Sequence, residues 1–236
     1  MRRRTFILLP GAGGSAWYWH LVAPILEEQG HEAVTVDLPA ADDRAGLLQY
    51  ADVVVDAIGN RAPRNVVLVA QSLAGFTAPI VCQKIPIGLL VLVNAMIPNP
   101  NETPGDWWEN TSQPEAKRRA DERNGRDPEA PFDLLTTFFH DVPQPVIDEA
   151  MAQGEQRQSE AVFGTPCAIE AWPSIPTRIL VGCEDRFFPA EFQRRVAQER
   201  LGISADEMPG GHLVALSQPT ALAVQLIDYL EMGNAG

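Results

Sequence analysis

A serine, an aspartate and a histidine occur at places in this chain where together they could cleave an acyl bond. Ser72 follows residues 66–69, an apolar run rich in β-branched side chains that predicts a buried parallel strand. Ala70 and Ala74 flank the serine, and helix-compatible sequence follows directly. Small residues there let the strand and the helix approach closely enough to present a serine in a strained turn. The same pattern also fits a serine that only caps a helix.

Asp185 and His212 each lie in a loop that follows a predicted strand, Asp185 after residues 177–182. Active-site groups of open parallel sheets collect at these carboxyl ends. A serine hydroxyl becomes a good nucleophile when an imidazole takes its proton and a carboxylate fixes the imidazole tautomer. The sequence therefore predicts a triad of Ser72, His212 and Asp185. Glu184 is the alternative acid, and we prefer Asp185 for its place in a G-x-x-D-x-x-x-P stretch and its shorter side chain.

A glycine-rich loop, residues 10–14, connects the first predicted strand to a helix. A phosphate-binding loop would be an alternative, but the chain has neither G-x-G-x-x-G nor a GK[ST] ending there. The better interpretation is an oxyanion hole, in which the backbone N–H groups of Ala12 and Leu73 bind the developing negative charge. Gly11 would then lie beside the substrate.

Strands and helices alternate along most of the chain. The predicted strands lie near residues 5–10, 33–37, 65–70, 88–94, 177–182 and 204–208. The predicted helices lie near residues 16–29, 44–60, 73–84, 190–201 and 215–231. This alternation predicts an α/β fold with a mostly parallel sheet of about six strands and helices on both faces. We expect one domain over residues 1–236.

The alternation is interrupted between Asn94 and Thr177, where eleven of the 20 prolines occur. The stretch is too long for an ordinary loop, which predicts a helical cap insertion at about residues 97–173. Its aromatic side chains either line an apolar substrate pocket or only pack the cap against the sheet. These candidates are Trp107, Trp108, Phe132, Phe138, Phe139 and Phe163, together with His140 as a further candidate for substrate contact.

The composition limits the partners of the chain. A net charge of −13 without a basic stripe argues against nucleic acid and anionic membranes as partners. Residues 99–171 carry 15 acidic and six basic side chains, so a strongly anionic substrate would meet repulsion there unless these acids all face solvent, as most charge runs do. We expect a small neutral ester as the substrate. Cys82, Cys167 and Cys183 are odd in number and widely spaced, which predicts reduced thiols, a cytoplasmic protein and no metal site. A homodimer is compatible with the sequence.

The chain resembles the α/β-hydrolase superfamily, and within it the small esterases grouped with plant methylesterases and hydroxynitrile lyases. The resemblance is carried by LLPGAGGSAWYWHLVAPIL, GHEAVTVDLPA, VAQSLAGF, LVLVNAMIPNP and GGHLVALSQP. It implies an α/β-hydrolase fold and a serine carboxylesterase that forms an acyl-enzyme and needs no cofactor.

Two departures from that family are visible. Pro10 stands where the family commonly has histidine, and Leu213 stands where the hydroxynitrile lyases have a catalytic lysine. Leu213 would leave the pocket without the cation that stabilises cyanide, which argues for ester hydrolysis. Two alternatives remain open, namely a lyase that uses the triad as a base and a non-catalytic small-molecule receptor on the same fold.

Overall fold

The structure, a computed structural model, describes the backbone of residues 3–232. Six strands form one sheet in the order β2-β1-β3-β4-β5-β6, and every strand pairing is parallel. The strands are β1 (Thr5–Leu9), β2 (Glu32–Thr35), β3 (Val66–Gln71), β4 (Leu89–Val93), β5 (Thr177–Gly182) and β6 (Asp206–Met208). The predicted α/β class and parallel six-stranded sheet are thus confirmed.

Helices cover both faces of this sheet. The helices of the described chain are α1 (Val22–Glu28), α2 (Leu47–Ile58), α3 (Ala74–Lys84), α4 (Pro104–Asn110), α5 (Gln113–Arg123), α6 (Leu134–Phe138), α7 (Gln144–Ala152), α8 (Ala190–Leu201), α9 (Val214–Ser217) and α10 (Pro219–Met232). Short 3-10 helices span Ala16–Trp19, Pro63–Asn65 and Glu160–Gly164. No helix among residues 3–232 is long and apolar enough to cross a membrane.

Successive side chains of a strand point to opposite faces of the sheet, and in the central strands both faces are buried beneath helices. Along β1, Ile7 and Leu9 join the core beneath α2, α3 and α8. Phe6 and Leu8 join the core beneath α1, α9 and α10. Two apolar layers therefore hold the sheet, and the loops at the carboxyl ends of its strands rest on a rigid support.

Two predicted helices are each divided in the structure, and prolines explain both divisions. The helix predicted for residues 16–29 is a 3-10 turn followed by α1, which places Pro24 in the first turn of α1. A proline N–H is not needed there, whereas in mid-helix the ring would clash with a carbonyl of the preceding turn. The helix predicted for residues 215–231 is interrupted before Pro219, which begins α10.

Residues 97–173, here called the insertion segment, contain α4 to α7 and the 3-10 helix Glu160–Gly164. The segment bonds to the loops at the carboxyl edge of the sheet. The Gly13 amide donates to Gln158, and the Gln113 side chain donates to the carbonyl of Phe187. That this segment acts as a cap, and that the chain is one domain, stay predictions.

Candidate active site

Ser72 occupies a sharp turn between β3 and α3. Its φ of 51° lies in the left-handed region, which is uncommon for a residue other than glycine and costs backbone energy. Hydrogen bonds hold the turn, since the Ser72 amide donates to the carbonyl of Val93 at 3.3 Å. The Ser72 carbonyl in turn accepts from the amides of Met96 and Gly75, at 3.0 and 3.1 Å. The neighbouring chain from β4 therefore enforces the strain.

Small residues are needed around this turn for steric reasons. A Cβ on Gly75 would lie 1.9 Å from the carbonyl oxygen of Met96, so α3 begins in direct backbone contact with the segment after β4. Ala70 and Ala74 are both buried. A larger side chain at these positions would separate the helix from the sheet and shift Ser72.

The structure brings Ser72, His212 and Asp185 into one row of hydrogen bonds. His212 Nε2 lies 3.0 Å from Ser72 Oγ, and His212 Nδ1 lies 2.8 Å from Asp185 Oδ2. The side chains of His212 and Asp185 are only 3% and 0% exposed. Low exposure strengthens such bonds and leaves the imidazole between a hydroxyl and a carboxylate, which is the arrangement that proton transfer from serine requires.

The loop after β5 holds the carboxylate of Asp185 firmly. The amides of Phe187 and Phe188 each donate to Oδ1 at 2.8 Å. Glu184, the alternative acid, is exposed, and within residues 3–232 no hydrogen bond joins its carboxylate to His212. The geometry therefore favours Asp185 as the partner of the imidazole.

The sequence analysis missed buried amide side chains next to this row, among them Asn94 and Gln193. Asn94 follows β4 with a φ of 45° and donates to the carbonyls of Gly211 and His212 at 2.9 and 3.1 Å. Gln193 of α8 donates to Asp185 Oδ2 at 3.2 Å. A signal was available for Gln193, because it falls among the buried apolar residues of its helix at helical spacing.

The loop after β1 packs directly against the serine turn. A Cβ on Gly11 would lie 2.8 Å from the Cβ of Ser72, so no larger residue fits there without movement. The amide of Gly14 donates to the Gly11 carbonyl and closes the loop. Among the described residues, the backbone amides of Ala12 and Leu73 donate to no protein acceptor. Ala12 follows Gly11 and Leu73 follows Ser72, the two residues that pack against each other. The oxyanion hole formed by these two amides stays a prediction.

Three phenylalanine rings surround the imidazole of His212. The ring centroids of Phe138, Phe187 and Phe188 lie 5.1, 5.3 and 5.0 Å from that of His212. Phe188 is buried, whereas Phe138 from the insertion segment and Phe187 are half-buried and meet each other at 4.7 Å. The two half-buried rings give the site an apolar wall that remains partly accessible.

The other predicted pocket residues lie at different distances from this wall. Trp107 is 1% exposed and contacts Phe188, while its indole nitrogen donates to the carbonyl of Ile97. Trp108 is half-buried beside Phe187. Phe139 and Leu213 pack against the core on the opposite face of the sheet. Trp107 thus has a packing role, and contact of these residues with a substrate stays a prediction.

His140 and Asp141 connect the insertion segment to the loop of His212. Asp141 Oδ2 accepts from the amide of Gly211 at 2.6 Å. His140 Nε2 lies 3.9 Å from Asp141 Oδ1, and neither atom has a hydrogen-bond partner within the described chain. Burial lowers the pKa of His140, with Arg186 acting in the same direction and Asp141 opposing it. Burial also raises the pKa of Tyr18, which keeps its phenol neutral.

The cysteines do not form a cluster. All three are free thiols, and burial raises the pKa of both Cys82 and Cys167 to about 12. Cys183 is exposed, with its sulfur 3.2 Å from Glu207 Oε2. Among residues 3–232 no group of three or more His, Cys, Asp and Glu side chains is arranged to hold a metal ion.

Comparison with known proteins identifies the family. A model described as alpha/beta hydrolase family matches residues 6–225. Polyneuridine aldehyde esterase of Rauvolfia serpentina is 24% identical, with 96% of each chain covered, and methyl jasmonate esterase 1 of Vitis vinifera is 23% identical, with 98% of each covered.

Solved structures agree with this result. The crystal structure of polyneuridine aldehyde esterase has a TM-score of 0.77 at 24% identity and covers 97% of this chain and 100% of that one. A pyrethroid hydrolase from Sphingobium faniae JZ-2 has a TM-score of 0.75 at 21% identity, with 98% of both chains covered. The fold, the site geometry and the family match agree, and the chain belongs to the alpha/beta hydrolase family.

Proposed function

We propose that this protein is a carboxylesterase that hydrolyses small, neutral, moderately apolar esters with Ser72 as its nucleophile. The observation that carries the proposal is the pair of hydrogen bonds from Ser72 Oγ to His212 and from His212 to Asp185. Relatives named as esterases support the same activity, among them polyneuridine aldehyde esterase and methyl jasmonate esterase 1.

Acylation begins when Ser72 Oγ attacks the ester carbonyl while His212 Nε2 accepts its proton. Asp185 holds Nδ1–H, so that Nε2 carries the lone pair and the imidazolium that forms is stabilised. The backbone N–H groups of Ala12 and Leu73 bind the oxyanion of the tetrahedral intermediate. The imidazolium then protonates the alkoxide, the C–O bond breaks, and the alcohol leaves an acyl-enzyme on Ser72.

Deacylation repeats these steps with water. His212 takes a proton from a water molecule, whose oxygen attacks the acyl carbon, and the same two amides bind the second oxyanion. Collapse of this intermediate breaks the bond to Ser72 Oγ, which receives the proton from His212. The free acid is released and the enzyme returns to its starting state. These steps use only groups of the protein and the substrate.

The walls of the site support a neutral, apolar substrate. Phe138 and Phe187 present half-buried rings beside His212, where an acyl or alcohol group could pack. Residues 99–171, most of the insertion segment, carry 15 acidic and six basic side chains, so an anionic ester would meet repulsion on approach. We propose that this segment is the cap of the site and that Trp108 and His140 border it. A cytoplasmic location, consistent with three free thiols, completes the proposal.

A panel of chromogenic esters from acetate to octanoate tests the proposal, measured beside a matched amide, a thioester and mandelonitrile. We expect the esters to be cleaved fastest, and Ser72→Ala to lower kcat by at least about 10³-fold, because members of a triad act as a unit. The variant should keep the native circular dichroism spectrum, since alanine is smaller than serine. If the native protein releases benzaldehyde from mandelonitrile faster than it cleaves any ester, it is a lyase. If no substrate turns over and no serine reacts with a fluorophosphonate, it is a receptor.

A further inference from the structure

We propose that Gln193 is a positioning residue, whose side-chain amide fixes the Asp185 carboxylate for its bond with His212. This inference rests on the proposed function, because Gln193 would act only by positioning Asp185 of the proposed triad and would touch neither the substrate nor Ser72. Gln193 lies on α8, far in sequence from Ser72, and is 5% exposed.

The amide group of Gln193 is oriented by a second bond. Its Nε2 atom donates to the carbonyl of Phe188 at 2.6 Å and to Asp185 Oδ2 at 3.2 Å. A primary amide has two N–H bonds in one plane, so the short bond to Phe188 directs the other hydrogen toward the carboxylate. Gln193 thereby ties the acid to the loop that carries it.

Asp185 needs this additional donor because its side chain is excluded from water. A buried carboxylate is stable only when hydrogen bonds replace its hydration. Oδ1 receives two backbone amides, whereas Oδ2 receives His212 Nδ1 and Gln193 Nε2. Within residues 3–232, Gln193 and His212 are the only side chains that hydrogen-bond this carboxylate. Loss of the Gln193 donor would leave the imidazole as the single restraint on Oδ2.

The same amide lies next to a link with the histidine loop. Asn94 Oδ1 accepts from the amide of Gly182, and Gln193 Nε2 approaches the same oxygen at 3.4 Å. The Nδ2 group of Asn94 donates to the carbonyls of Gly211 and His212. Asn94 and Gln193 therefore form one buried polar contact between the loop of the acid and the loop of the base. A shift at Gln193 would alter the distance between the two catalytic groups.

Gln193→Met tests this role because methionine has a similar length and volume but no donor. Gln198→Met is the matched control, since it makes the same change at an exposed position of the same helix. With p-nitrophenyl butyrate, Gln193→Met should lower kcat about 10- to 100-fold while KM stays within about twofold, because the lost bond acts on the transition state. Gln198→Met should retain the native kcat.

One further measurement and one further variant separate a positioning role of Gln193 from a merely structural one. Proton NMR should show the downfield signal of the His212 Nδ1 proton shifted or broadened in Gln193→Met and unchanged in Gln198→Met. Gln193→Glu has nearly the native shape and serves if the methionine variant fails to fold. An ionised glutamate there repels Asp185 instead of donating to it, so we expect a loss of kcat that grows with pH as this carboxyl gives up its proton.

Fluorophosphonate labelling of the same proteins distinguishes the two levels of the proposal. We expect rapid labelling of Ser72 in the native protein and in Gln198→Met, and slower labelling in Gln193→Met. A native protein that is not labelled would refute the proposed function itself. A native protein that is labelled, beside folded Gln193→Met and Gln193→Glu proteins with native kcat and an unshifted Nδ1 proton signal, would overturn the role of Gln193 alone.

Discussion

Replacing Asp185 with asparagine should abolish most catalysis by changing the tautomer of His212. The amides of Phe187 and Phe188 both donate to Oδ1, so the asparagine carbonyl must occupy that place. Its NH₂ group then faces Nδ1 of His212, which can form a hydrogen bond only by giving up its own proton. The imidazole proton moves to Nε2, 3.0 Å from Ser72 Oγ, where a lone pair is required.

The expected loss follows from this change of tautomer. A base that carries its proton on the wrong nitrogen cannot accept another from serine, and the same substitution in another serine triad costs about 10⁴-fold in kcat. At about 1.36 kcal/mol for each factor of ten, the transition state loses about 5 kcal/mol. Binding of the ester is not affected by the tautomer, so KM should change little.

Stopped-flow or plate-reader kinetics with p-nitrophenyl butyrate measures this loss directly. Glu184→Gln is the matched control, because it makes the same chemical change at the exposed neighbouring position and should retain most activity. Thermal unfolding of both variants verifies that they are folded. If Glu184→Gln is inactive and Asp185→Asn is nearly native, Glu184 is the acid and our interpretation of the hydrogen bonds is wrong.

Four further predictions concern the surroundings of the site. Leu213→Lys should weaken ester hydrolysis, because a cation on the residue that follows His212 in the chain opposes protonation of the imidazole, and should give at most a trace of benzaldehyde from mandelonitrile. Gly75→Ala should lower the free energy of unfolding by at least about 2 kcal/mol in urea titration, because its Cβ would meet the Met96 carbonyl. The pKa of His140 is lowered in the folded state, so the unfolded chain binds this proton first as the pH falls below neutrality. The free energy of unfolding should therefore decrease less steeply with falling pH in His140→Gln than in the native protein. Ellman's reagent should modify Cys183 alone in the folded protein, because it is the exposed cysteine, and all three thiols after denaturation.

Each of these predictions has a clear contrary outcome. Efficient mandelonitrile cleavage by Leu213→Lys would mean that the site is a lyase site lacking only a cation. Gly164→Ala is the control for Gly75→Ala, because a Cβ there meets nothing within 4 Å, and equal losses in both would refute close packing at the serine turn. Parallel pH curves for native protein and His140→Gln would mean that His140 does not titrate differently on unfolding. Reaction of Cys82 or Cys167 in the folded protein would contradict their burial.

The strands and the serine turn could be predicted from the sequence because their signals are local. A short apolar run rich in β-branched residues and bounded by turn residues favours a buried strand, and small residues around Ser72 indicate a tight strand-to-helix turn. The division of the first predicted helix was also indicated by local sequence, since a proline such as Pro24 is favoured in the first turn of a helix.

The contacts around the triad could not be predicted, because each joins segments that are distant in the chain. Gln193 was recognisable as a polar residue on an apolar helix face, but its partner Asp185 depends on how α8 docks on the loop after β5. Similarly, the sequence offered six aromatic residues of the insertion segment as equal candidates for lining a substrate pocket. Only the fold shows that Phe138 lies against His212. Asn94 gave no sequence signal beyond its position after a buried strand.

Mapping the covalent adduct of a fluorophosphonate by peptide mass spectrometry tests most directly whether Ser72 is the nucleophile. We predict one adduct, on the peptide that carries Ser72, with ester hydrolysis lost in proportion to labelling. Ser72→Ala should be folded, unlabelled and inactive. An adduct on another residue, or ester turnover that survives complete labelling of Ser72, would contradict the proposed mechanism.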